Sequence, residues 1–165
     1  MVALRLVRLV ESHSEELARG IAREIHTSAR TSELRRIPLN EVEERIGEIL
    51  RHLSEWLLTK TAGEVEQHYL ELGARRAMQG VSVADVSWAI ILTKERLWEF
   101  LQRQGFLHSP VELYGEMELL WLLTQFFDKA LCAAIEGYEK QVHWAAEDRL
   151  PLHSRHARGS AASAD

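Results

Sequence analysis

Residues 69–105, YLELGARRAMQGVSVADVSWAIILTKERLWEFLQRQG, decide the fold. Reading back to Val65, the apolar positions Val65, Tyr69 and Leu72 recur at steps of three and four, with Arg76 next in the row, which is the period of a helix face. The pattern stops at Gly80, a residue suited to the left-handed position that closes a helix. Ser82 follows, with Asp85 three residues on. That spacing lets a hydroxyl and a carboxylate satisfy orphan backbone donors at a new helix start. Val86, Ile90, Thr93, Leu97 and Phe100 then form a second apolar face that ends before Gly105. The stretch therefore reads as helix, turn, helix, over about 62–79 and 83–104.

The same punctuation recurs on either side. Asn40 precedes Glu43, Thr61 precedes Glu64, and Ser109 precedes Glu112, with Pro110 at a first-turn position that tolerates proline. A helix is predicted over about 3–29, with Ala3, Val7, Val10, Leu17, Ile21 and Ile25 inward. Leu6 and Leu9 lie off this stripe; they either cover a partner subunit, which makes them interface candidates, or widen the core face. After a connection over 31–39, the helix following Asn40 carries Val42, Ile46, Ile49, Leu50, Leu53 and Leu57 on one face, and Gly47 marks a candidate close crossing. The last helix, about 110–146, repeats Leu113, Met117, Leu120, Thr124, Phe127, Leu131, Ile135, Tyr138 and Val142. It would span roughly 50 Å, enough for its far end, around Tyr138 and Trp144, to project or meet another copy. The prediction is an all-α bundle of five helices over 1–147, followed by a polar tail, 148–165, with no apolar period.

Composition bounds the function. The chain has 165 residues, is 46% hydrophobic and 27% charged, and carries a net charge of −5. These values suit one globular domain and argue against a nucleic-acid binder, which needs a basic face. The single cysteine, Cys132, fits a reducing compartment. The N-terminal apolar run is broken by Arg5 and Arg8, and no stretch reaches the length of a membrane span. The expected location is the cytoplasm, away from membranes.

Eight histidines raise a metal reading. A di-iron bundle places a glutamate three residues before a histidine on two helices. The residues three before His13, His26, His52, His68, His108 and His143 are Val10, Arg23, Ile49, Val65, Gly105 and Lys140, so no metal site is expected. Haem needs one axial histidine over an apolar pocket, and His68 or His26 could supply it. That is the alternative reading, and the leading one has no cofactor. Phosphate loops, nucleophile elbows and zinc-protease motifs are missing from the sequence, so the chain is read as non-enzymatic. Arg75 and Arg76 stand near a helix C-terminus, where positive charge is favourable. One of them could instead be held inward against a carboxylate or an anionic ligand. Tyr69, Arg76, Trp88 and Trp98 are the candidate walls of a ligand pocket.

Two stretches carry a family resemblance. HYLELGARRAMQGVSVADVSWAIILTKERLWEFL, residues 68–101, resembles the centre of the RsbR/RsbRD-type N-terminal sensor domains of stressosome co-antagonists. FFDKALCAAIEGYEKQ, residues 126–141, resembles their last helix. The resemblance implies a globin-like sensor fold without haem, a homodimer, and regulation of a protein partner by contact through the last helix. Such relatives carry output modules beyond that helix. No phosphorylatable output segment follows here, so co-antagonist activity is not carried over to this sequence.

Overall fold

Among the described residues, 2–59, 63–104 and 112–148, the computed structural model has six α-helices, one 3-10 segment and no strand. The helices are α1 (Val2–Ser12), α2 (Ser14–Thr27), α3 (Leu39–Thr59), α4 (Gly63–Met78), α5 (Val83–Arg103) and α6 (Glu112–Asp148), with the 3-10 segment Ala29–Arg36 between α2 and α3. The all-α expectation and the long last helix hold. The predicted helix over 3–29 is two helices, because three consecutive polar side chains turn back on the backbone. Ser12 Oγ donates to the Leu9 carbonyl at 3.0 Å, His13 Nδ1 lies 3.0 Å from the same oxygen, and Ser14 Oγ donates to Glu11. Such bonds compete with the helical ladder and bend it. The break resets the helical phase, so Leu6, off the predicted stripe, is wholly buried beside Val7 and Val10.

The turn between α4 and α5 forms as its residues predict. Gly80 has φ of +70°, and Gly80 N–H and Val81 N–H close on the carbonyls of Ala77 and Arg76, the paired closure of a Schellman motif. Ser82 Oγ accepts from Asp85 N–H at 3.1 Å and donates to the Asp85 carboxylate at 2.8 Å. The other Asp85 oxygen accepts Glu33 N–H at 2.8 Å, while the Glu33 carboxylate accepts Ser82 N–H at 2.6 Å. The 3-10 segment is thus pinned to the start of α5. The Asn40 cap does not form as expected. Helix α3 begins two residues earlier, at Leu39, with the Pro38 carbonyl accepting from Glu41 and Val42. The Thr61 and Ser109 caps and the tail over 149–165 lie outside the described residues.

The core gathers the α3 stripe, Ile21 and Ile25 of α2, Val86, Ile90 and Leu97 of α5, and Phe126 and Phe127 of α6. Each such side chain contributes roughly 1.5–3 kcal/mol on burial. Helix α6 is rotated from its predicted face. Leu119, Leu123, Phe126, Ala130, Ala133 and Ala134 are buried, whereas Met117, Thr124 and Val142 are exposed. The row of large residues misleads because the neighbour α4 demands small ones. A Cβ added to Gly73 would lie 1.8 Å from the Ala134 carbonyl oxygen, and one added to Gly137 would lie 1.9 Å from that of Leu70. The helices touch backbone to backbone. Their residue numbers rise together, from the Glu66–Lys129 ion pair at 3.3 Å to the approach of Gly73 to Ala134 and Tyr138. They therefore run in the same direction.

Gly47, expected at a crossing, has nothing within 4 Å of the position of its missing Cβ. The three glycines give opposed predictions. Gly73→Ala and Gly137→Ala should each cost about 2–3 kcal/mol or more through overpacking. Gly47→Ala should be neutral or stabilising by up to ~1 kcal/mol. Urea unfolding of the three variants checks both signs.

Candidate functional site

Helix α3 carries a polar stripe beside its apolar one. Glu41, Arg45, Glu48 and His52 follow at steps of four, three and four, so they share a face. Helix α4 lies mainly on α6, and α3 lies mainly on α1 and α2. Between α3 and α4 the bridging is done by long polar side chains. At one end Arg76, only 4% exposed, donates to Glu41 at 2.9 Å and to Gln79 Oε1 at 2.6 Å, and Gln79 donates to Glu41 at 3.2 Å. Arg76 is therefore the arginine held inward, and its partner is a carboxylate of the same chain. Its charge survives burial because Glu41 stands against it. Burial pushes the Glu41 carboxyl up, but Gln79 and Arg76 outweigh that and hold it below the ordinary carboxylate range.

Midway along the seam, Arg45 makes a two-pronged bond to Glu48 at 2.7 and 2.8 Å. His68 Nε2 of α4 lies 3.4 Å from the same carboxylate, and its ring centroid lies 4.2 Å from that of His52. Burial lowers the His68 pKa, the neighbouring His52 and Arg45 lower it further, and Glu48 and Glu71 offset part of the effect. The seam closes on α6 through aromatic edges. Tyr69 meets His68 and Phe126 at nearly right angles, and Trp56 packs near Phe126. Tyr69 is wholly buried, and burial pushes its phenol above the ordinary range, with the Glu48 charge adding to the effect. His52 Nδ1, Trp56 Nε1, Tyr69 Oη and Arg45 Nε are buried without a hydrogen-bond partner. Four unmet polar atoms along one helix junction make it a costly place in an otherwise apolar core.

The four residues assigned to a pocket do not converge. A cavity of about 40 Å³ lies between α2, α3, α4 and α5, lined by Ile25, Ile46, Leu72, Ile90 and others, with Arg45 and Arg76 at its wall. Of the four candidates only Arg76 reaches it. Tyr69 belongs to the aromatic junction, Trp88 lies under the Arg30 guanidinium at 3.8 Å, and Trp98 packs half-buried on the core. Drug-sized ligand pockets run to roughly 300–1,000 Å³, and this cavity is far below that. His68, one of the two candidate axial ligands, is committed to Glu48 and His52, so the seam does not fit a haem. Among the described residues no group of three or more histidines, cysteines and acids is placed to hold a metal. Nor is any helix there long and apolar enough to cross a membrane.

Of the residues assigned to an interface, Leu6 is enclosed by its own chain and Leu9 packs against the core. Tyr138 is half-buried beside α4 and Trp144 is 62% exposed. A sequence signal for the seam did exist. The stripe of Glu41, Arg45, Glu48 and His52 runs for three turns beside a fully apolar stripe, where a purely solvated face carries no such order.

The family model of the RsbT co-antagonist protein rsbRD N-terminal domain matches residues 14–150, from α2 through the whole of α6. The chain belongs to this family. It is thus an RsbR-type N-terminal domain of stressosome regulatory proteins, a sensory and regulatory family rather than a catalytic one. No curated protein and no solved structure is significantly similar to it.

Two predictions follow from the charges of the seam. A histidine whose pKa falls on folding takes up its proton more readily in the unfolded chain. The contribution of neutral His68 is full above its ordinary pKa of 6.5 and drains away as the pH falls below it. The melting temperature should therefore drop on acidification through that region, and His68→Gln should flatten the drop. Removing one partner of a buried pair strands the other. Glu41→Ala should cost roughly 3 kcal/mol in urea unfolding, and Glu41→Gln, which keeps an acceptor for Arg76, clearly less.

Proposed function

We propose that this domain is a non-enzymatic signal-input module in which a signal or a protein partner biases two arrangements of the α3–α4 seam, and α6 carries the difference outward by contact. The observation that carries the reading is the contrast between the two sides of α4. On one side its backbone is locked to α6 at Gly73 and Gly137. On the other it is held to α3 by ion pairs, a histidine pair and unpartnered polar atoms. A packed backbone crossing resists sliding, whereas a polar seam is sensitive to proton, ion and partner. A bias on the seam would move α4 and α6 as one body.

The end of α6 supports the output half of the reading. Val142 and Trp144 are exposed there, at 50% and 62%. Trp144 stands one and two heptads beyond Gly137 and Ala130, so the stripe that faces α4 continues past the last residue of that helix, Met78. We assign this end to contact with a second copy and with the regulatory protein. The homodimer and the globin-like arrangement implied by the resemblance belong to this proposal. The family description, an N-terminal domain of an RsbT co-antagonist, makes an assembly containing RsbT the first partner to test.

Hydrogen exchange at about pH 7.5 and about pH 5.5 tests the coupling, since histidine titrates between them. The reading predicts that amides of α4 and α6 gain exchange together at the lower pH while those of α2 and α3 hold. Loss of protection in α3 and α4 with α6 unchanged would reject it. For the output surface, Val142→Asp with Trp144→Asp should convert a sedimenting dimer to monomer without lowering the melting temperature. A dimer that survives both substitutions places the contact elsewhere.

A further inference from the structure

A second surface, away from the seam, is a groove of about 600 Å³ between the α1–α2 bend and the outer side of α3. Its floor is apolar. Val10, Ala18 and Leu50 are buried there, and Gly47 leaves open space above the backbone. Carboxylates stand on both walls, Glu11 and Glu15 on one and Glu43 and Glu44 on the other, against one cation, Arg51. Among the described residues, the carboxylates of Glu11 and Glu15 have no ion pair or hydrogen bond. Arg19 approaches Glu43 only to 3.7 Å and Arg45 approaches Glu44 only to 3.8 Å, so these distant pairs neutralise the walls weakly. Ser54 lines the same groove at 3% exposure, and its hydroxyl has no hydrogen-bond partner among the described residues. A helical serine ordinarily turns back to the carbonyl one turn earlier, as Ser87 does to Val83 at 2.8 Å. The Ser54 hydroxyl instead faces the groove with its bonding capacity unused.

We infer that this groove binds a short aliphatic polyamine such as spermidine. Its methylenes lie on the apolar floor, its ammonium groups meet the carboxylates of Glu11, Glu15, Glu43 and Glu44, and one N–H is donated to the Ser54 hydroxyl. Sign is the first argument. Aliphatic amines stay protonated at neutral pH, as lysine does, and the walls are acidic. The distribution of charge is the second. A metal ion needs its ligands converged on one point, and among the described residues no group of three or more is so placed. Carboxylates spread along two walls suit a cation whose charge is spread along a chain. The alternation of methylene and ammonium in that chain matches the alternation of floor and wall. Size is the third, because small-molecule sites run to roughly 300–1,000 Å³. A partner helix would instead need a broad apolar groove for large anchors, and this floor is a strip between charged walls. One exposed ion pair contributes little. Several on one flexible ligand add, because the first raises the effective concentration of the rest. A bound polyamine would bridge the α1–α2 bend to α3. The groove and the seam use different residues, so neither reading depends on the other.

The test is an amide chemical-shift titration of the isotope-labelled full chain with spermidine, at about 0.15 M salt and about pH 7.5. Saturable shifts are expected at Ala18, Gly47 and Ser54. Putrescine, with one ammonium fewer, should bind about threefold more weakly, and butylamine should move none of these amides at equal concentration. Glu11→Gln with Glu15→Gln should weaken spermidine about tenfold. Gly47→Leu fills the floor without changing any charge and should weaken spermidine by a similar factor. No atom lies within 4 Å of the missing Gly47 Cβ, so the helix accepts the side chain, and circular dichroism checks the fold of each variant. Spermidine that moves none of the three amides would overturn the inference, and a lysine-rich peptide that moves them in its place would reassign the groove to a protein partner. Magnesium chloride that reproduces the shifts at equal concentration would overturn it too. So would an affinity unchanged in Gly47→Leu, because the amine would then be held by diffuse charge and not by the groove.

Discussion

The backbone crossing of α4 and α6 at Gly73 and Gly137 sets the rest of the arrangement. Each missing Cβ would fall within 2 Å of a carbonyl oxygen of the other helix, so no other residue fits without moving a whole helix. The approach brings Ala130, Ala133 and Ala134 into the same seam and turns the larger residues of α6 partly outward. It also fixes where Phe126 enters, and with it Tyr69 and Trp56. The long helix is held along one flank by atoms too close to slide.

The opposite flank of α4 is built on other physics. Long side chains bridge a gap that the backbones do not close, and their strength depends on protonation and dielectric. Arg76 and Glu41 hold one end, and Glu48, His52 and His68 hold the middle. Such a seam gives less stability than apolar packing of equal volume. Polar atoms with no partner in the core are a standing cost. Helix α4 thus has a tight flank and a polar flank, and the family to which this chain belongs is a sensory one. The 3-10 segment is tied to the start of α5 through Glu33, Ser82 and Asp85.

Much of the fold was legible in local sequence because the deciding interactions are local. Gly80, Ser82 and Asp85 announce the α4–α5 turn from side chains within six residues of each other. The α3 stripe is legible because a uniform apolar row faces one core. The bend at His13 was missed because three polar residues read as an ordinary wet turn until their bonds to the backbone are seen. The face of α6 was misread because periodicity weights large residues, while a close crossing selects small ones. Gly47 and Gly73 look alike in sequence and differ only in what lies opposite. The candidate site was the least legible part. His52 and His68 sit on separate helices, and only the lateral register of α3 against α4 brings their rings together. Arg76 was the exception, since an arginine in an apolar row must find a carboxylate.

The central claim is that α4 and α6 form one rigid unit that shifts against α3. Spin-label distances test it most directly, with labels in pairs at exposed Arg51 on α3, Glu71 on α4 and Glu139 on α6, in a Cys132→Ser background. Between about pH 7.5 and about pH 5.5, the account predicts that the α4–α6 distance keeps one narrow distribution while the α3–α4 distance broadens or lengthens. An α4–α6 distance that changes while α3–α4 stays fixed would contradict it.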